Sequence, residues 1–191
     1  MALKTDLTNP RNFSRSDYEL EEFLLLCIFV AGKGSKVQSG KLEMLIEELG
    51  CKDSIFSVLC EMSIGEIEKV LVKVKAGQYN RLSKCLYELS RKGLCLRTCT
   101  CEELESISGI GMKTSRFFVT YSRPNTNYAI LDTHILAWLR EIFPDAPKST
   151  PTKSAYLMWE KRFLVLCETH KTTPHELDLK IWLERQKSYN V

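Results

Sequence analysis

Two ionisable residues sit where helix ends make them chemically unusual. Lys113 follows the turn Ser108-Gly109-Ile110-Gly111 and falls just inside the start of the apolar-periodic segment MKTSRFFVTYS. The positive end of a helix dipole disfavours an ammonium there and favours the neutral amine. A neutral amine is a nucleophile that can form a Schiff base. Asp132 stands at the N-cap position before the run Ile135 to Phe143. A carboxylate in that place can stabilise positive charge developing on a sugar, or assist proton transfer. Each residue also has a plainer reading: Lys113 as a phosphate contact, Asp132 as a simple cap. The two together point to covalent chemistry, because a binding module needs neither.

The turn before Lys113 joins two helices into a helix-hairpin-helix. Gly109 and Gly111 permit positive φ and close approach of a ligand to the backbone. The amides that open the second helix point outward and make a site for one phosphate, which Lys113, Thr114 and Arg116 can reinforce. Contacts of this kind grip a nucleic-acid backbone without reading its sequence. A Gly-x-Gly turn alone fits an ordinary αα turn equally well.

The elements that must hold these residues are helical throughout, so the fold class is all-α. The apolar segment Tyr18 to Ala31 predicts a helix buried on most sides, and the stretch GKGSKVQSGK ends or bends it. Further helices are predicted over 41–49, closed by Gly50, and over 54–62, 64–74 and 79–92, closed by Gly93. Thr100 caps a short acidic-fronted helix that leads into the hairpin. Beyond Asp132, helices follow over 155–167 and from Pro174 through ELDLKIWLER. Tyr128 to Leu131 is the one stretch that also reads as a short strand.

At 191 residues and 44% hydrophobic content, the chain can bury a core as one unit with two helical lobes around a cleft. The expected division is about 30–125 for one lobe, and 1–29 plus 126–191 for the other. Net charge is +3, which permits a nucleic-acid partner without arguing for one. The longest apolar run, Phe23 to Ala31, is about half of a membrane span. The N-terminus is polar and lacks a signal-peptide core, so an intracellular location is expected, in cytoplasm, nucleoid or nucleus. The eight cysteines are then expected as reduced thiols. The run CLRTCTC offers three thiols without an obvious fourth ligand, so no metal site is expected.

SGIGMKTSRFF and AILDTHILAWL together resemble the helix-hairpin-helix DNA glycosylase superfamily: hairpin, lysine, spacer, then an apolar-Asp-x-His helix start. The lysine resembles that of the bifunctional members, which remove a base and then cleave the strand. The length, the early helix FLLLCIFVAG and the end ELDLKIWLERQKSYNV are similar to one branch, the short 8-oxoguanine DNA glycosylases. The resemblance runs from about Glu19 to the terminus. It implies Lys113 as Schiff-base nucleophile, Asp132 as catalytic carboxylate, and His134 beside a backbone phosphate. It also implies Trp182 as the aromatic that packs on a flipped base, although a core tryptophan fits that residue equally by itself.

Two positions depart from the branch. Its members end in a lysine that helps recognise the base, whereas this chain ends in Val191; the terminal carboxylate would then read the N–H that 8-oxoguanine carries at position 7. The probing loop has Gly32 and Lys33 where members often place Asn or Gln, which leaves Lys33 to fill the gap in the duplex. The implied activity is a glycosylase/lyase acting as a monomer on duplex DNA that contains a damaged base, away from membranes. Only Cys167 lies beyond Asp132, so no iron–sulfur cluster is expected. The chemistry needs no cofactor, with room for a monovalent cation at the hairpin. The alternatives are the same chemistry on another damaged or modified base, and a non-catalytic helix-hairpin-helix DNA-binding protein.

Overall fold

The computed structural model describes the backbone of residues 3–5 and 10–189, and the side chains of all these except 186–189. Among the described residues there are helices and no strands: α1 (Asp17–Phe29), α2 (Ser35–Leu49), α3 (Ile55–Glu61), α4 (Ile64–Lys73), α5 (Tyr79–Arg91), α6 (Cys101–Glu105), α7 (Met112–Ser122), α8 (Thr133–Ile142), α9 (Lys153–Thr169) and α10 (Pro174–Tyr189). Residues 128–131 are extended without sheet pairing. No described helix is long and apolar enough to cross a membrane.

α1 is the axis of the larger core. A capping box starts it: Ser16 Oγ accepts from Glu19 N–H, and the Glu19 carboxylate accepts from Ser16 N–H. Its run FLLLCIF is apolar on every face, and a helix of that kind must be surrounded. α2, α3 and α7 pack against it. This corrects the expected lobe division. Residues 20–29 share one core with the apolar side chains of α2 to α7, and Ala129, Leu131, α8, α9 and α10 build the second core without them. An all-round apolar helix reads the same whichever lobe encloses it.

α2 also begins six residues earlier than the sequence suggests. Its inward face carries Gln38 and Ser39 before Leu42, Leu45 and Ile46. The helical period is intact, but its first members are polar and escape an apolar pattern.

The two cores are joined through a buried ion network. Arg116 on α7 is 2% exposed and pairs with Glu105 on α6 and, at 2.8 Å, with Glu160 on α9. Glu160 also accepts from Ala129 N–H at 3.0 Å. Tyr156 Oη accepts from Leu131 N–H at 3.0 Å and donates to the Ala129 carbonyl at 2.8 Å. The segment that delivers Asp132 is therefore fixed relative to α7. Removing one partner strands a buried charge, so Arg116→Met is expected to lower stability by about 3–5 kcal/mol in urea unfolding. Loss of less than about 1 kcal/mol would mean that the network is effectively solvated.

Candidate active site

The hairpin turn is held from behind by α5. Arg81 donates to the carbonyls of Gly109 at 3.0 Å and Ile28 at 3.1 Å. Glu88 accepts from Ser108 N–H at 2.8 Å and from its hydroxyl at 2.9 Å. Gly109 has φ +89°, and a Cβ there would sit 3.3 Å from both Arg81 Cγ and Cys85 Cβ. Conformation and space both demand glycine. Gly111 is the N-cap of α7 and brings no side-chain cap. The first amides of α7 therefore lack intrahelical partners, and a phosphate oxygen would satisfy them.

Within α7's first turns the side chains divide. Lys113 faces a cavity of about 610 Å³ between the two cores. Thr114 and Arg116 do not turn outward. Both are buried, and Arg116 is committed to Glu105 and Glu160. Their expected role as phosphate contacts is thereby corrected: Thr114 and the carboxylate-paired Arg116 guanidinium are buried away from the surface that a phosphate would reach.

Asp132 caps α8 with Oδ1, which accepts from the N–H groups of His134 and Ile135, both at 2.9 Å. It lines the same cavity as Lys113, with His134 beside it. Capping and lining are compatible, because Oδ2 lies outside the cap. Trp182 on α10 lines the cavity too and is not part of the second core. Lys33 lies at the cavity edge with Gly32 and Gly34; its ammonium donates to the Ala76 carbonyl at 3.0 Å. Burial lowers the Lys33 pKa, and Lys41 and Arg81 add to that. Val191 lies outside the described residues. No cluster of three or more candidate metal ligands occurs among the described residues.

The sequence reading missed Asp178. It lies one turn before Trp182 on α10, so both project to one helix face. Its carboxyl lines the cavity and accepts from Tyr121 Oη at 2.6 Å. Burial, then the nearby charge of Asp132, pushes its pKa up to about 7, against the pull of the Tyr121 hydrogen bond and of Lys113. An aspartate one turn from a singled-out tryptophan was the available signal.

This raised value has a signed consequence. Between the ordinary carboxyl pKa and about 7, the folded protein holds a proton that the unfolded chain has lost, so Asp178 costs stability as pH rises through that window. Asp178→Asn is expected to raise Tm at pH 8, with the gain shrinking toward pH 4. Thermal melts across that range check this. A gain that is equal at both ends would show that Asp178 carries no retained proton.

Residues 14–172 match the sequence profile of the 8-oxoguanine DNA glycosylase family. Solved structures with the same fold include the 8-oxoguanine DNA glycosylase of Thermotoga maritima, at 19% identity and TM-score 0.65, covering 87% of this chain and 79% of that one. The 8-oxoguanine DNA glycosylase of Methanocaldococcus jannaschii matches at 22% identity and TM-score 0.65, covering 90% and 79%. Its complex with 15mer DNA containing 8-oxoguanine matches at 22% identity and TM-score 0.67, covering 91% and 84%.

Proposed function

The chain belongs to the 8-oxoguanine DNA glycosylase family, and from that premise we propose that it is a bifunctional glycosylase/lyase that removes 8-oxoguanine from duplex DNA. The observation that carries this reading is the meeting of Lys113, Asp132, Asp178 and Trp182 around one cavity of nucleotide size.

The uncapped start of α7 takes a backbone phosphate of the duplex, and one nucleotide turns out of the stack into the cavity. The amine of Lys113 attacks C1′ of the sugar. The glycosidic electron pair leaves with the base, and the base takes up a proton. The carboxylate of Asp132 offsets the positive charge that grows on the sugar as that bond breaks. Ring opening gives a Schiff base between Lys113 and C1′. Loss of a C2′ proton then expels the 3′ phosphate by β-elimination. Trp182 offers a flat face to the extruded base. Asp178, one turn away, is an acceptor for the ring N–H and amino groups that a guanine-type base presents. Lys33, on leaving the Ala76 carbonyl, would fill the gap left in the duplex. His134, which lines the cavity beside Asp132, would contact a phosphate flanking the extruded nucleotide.

Borohydride trapping tests this reading on duplexes bearing 8-oxoguanine, an oxidised pyrimidine or an abasic site. A covalent adduct on the 8-oxoguanine duplex is expected. Trapping only on the pyrimidine or abasic duplex would keep the lyase and discard the substrate. No adduct on any duplex would return Lys113 to a phosphate contact.

A further inference from the structure

The short segment before α1 is tied to α7 by contacts distant along the chain. Arg15 is 3% exposed. One of its nitrogens donates to the carbonyls of Asn12 at 2.7 Å and Tyr121 at 2.9 Å, and the other donates to the carbonyl of Pro10. Its guanidinium lies 3.9 Å from the ring centroid of Phe23. Asn12 N–H donates to the same Tyr121 carbonyl at 3.3 Å, and Asn12 Oδ1 accepts from Ser14 N–H at 2.9 Å. Among the described residues no carboxylate lies within ion-pair distance of Arg15. Burial lowers the Arg15 pKa against the pull of Glu19 and Glu22, so seating this cation among carbonyls and a ring face is a costly device, and it needs a reason.

The reason lies at the other end of the segment. Pro10 is buried and lines the same cavity as Lys113, Asp132, Asp178 and Trp182. Its neighbours in the lining include Phe23, Phe117 and Tyr121. Tyr121 therefore serves both sides: its carbonyl anchors the segment, and its hydroxyl holds Asp178. We propose that residues 10–14 form a strap whose Pro10 is one wall of the base pocket, with Arg15 as the positioning residue that seats it. The family match begins at residue 14, so Pro10 to Phe13 lie ahead of the matched region.

The proposal rests on the base-excision reading, and it makes a distinction that a merely structural strap does not. A wall that contacts the base matters only while a base is present. Base release from an 8-oxoguanine duplex and strand cleavage at a preformed abasic site are measured under single turnover on the same preparations, with Tm as the check on folding. Arg15→Lys keeps the charge but loses the planar fork that spans several carbonyls. Pro10→Ala keeps the carbonyl that Arg15 holds and trims the ring. Both are expected to slow base release by about tenfold while abasic cleavage stays within about twofold, the scale of a slightly misplaced substrate. Equal slowing of both reactions, or of neither, overturns the proposal. A wild type that cleaves the abasic duplex but leaves 8-oxoguanine in place overturns the substrate reading instead. The two variants are then compared on whichever base the wild type releases, and the same split decides.

Discussion

Lys113→Gln is expected to give a folded protein that still binds duplex DNA and forms no borohydride-trapped adduct on any substrate. Glutamine keeps the length and polarity of the side chain and removes the nucleophilic amine. Removal of a covalent nucleophile acts on the scale of 10⁴-fold or more, so strand cleavage should fall to background, about that far below wild type. Duplex affinity should fall little, because the amides of α7's first turn remain and only one cation is lost. The salt dependence of binding checks this: a slope reduced by about one counterion would mean that Lys113 touches a phosphate directly. Abolished trapping with that slope unchanged assigns the residue to covalent attack. Residual trapping in Lys113→Gln would move the nucleophile elsewhere and remove the central claim.

The pairing of Lys113 with Asp132 was legible because it is local. Both residues open helices, and the connection between those helices is short enough to bring their starts together. The glycines of the hairpin were legible for the same reason. What escaped depends on contacts distant along the chain. Arg116 looks like a phosphate ligand three residues beyond Lys113, yet its partners Glu105 and Glu160 lie 11 and 44 residues away. Asp178 meets Tyr121 across 57 residues, and neither looks special alone. Arg15 finds the Tyr121 carbonyl across 106 residues. A basic residue's spacing from a motif tells where it starts, and packing decides which way it turns. The same holds for α1, whose apolar character demanded enclosure without naming the lobe that provides it.

Asp132→Asn carries the second largest expected effect, because it separates two roles that one side chain fills. Asparagine caps a helix about as well as aspartate. Its amide oxygen can accept from His134 and Ile135 as Oδ1 does now, so at acid pH, where Asp178 keeps its proton with or without Asp132, Tm should change by no more than a cap exchange of a few tenths of a kcal/mol implies. What disappears is the negative charge beside the reacting sugar. Loss of one preorganised electrostatic group of this kind costs on the order of 10²–10³-fold in rate. That loss should fall on base release, where charge builds on the sugar, and less on elimination from a Schiff base already formed. Asp132 also helps to push the Asp178 pKa up to about 7. With the charge of Asp132 gone, Asp178 should ionise at lower pH, and the stability decline between the ordinary carboxyl range and pH 7 should flatten. The two readouts are independent. A large rate loss with unchanged Tm identifies Asp132 as a charge stabiliser that also happens to cap. A rate loss that tracks Tm across Asp132→Asn, Asp132→Ser and Asp132→Ala identifies a cap and nothing more. The pH profile of stability then reports how strongly the charge of Asp132 acts on Asp178 across the cavity.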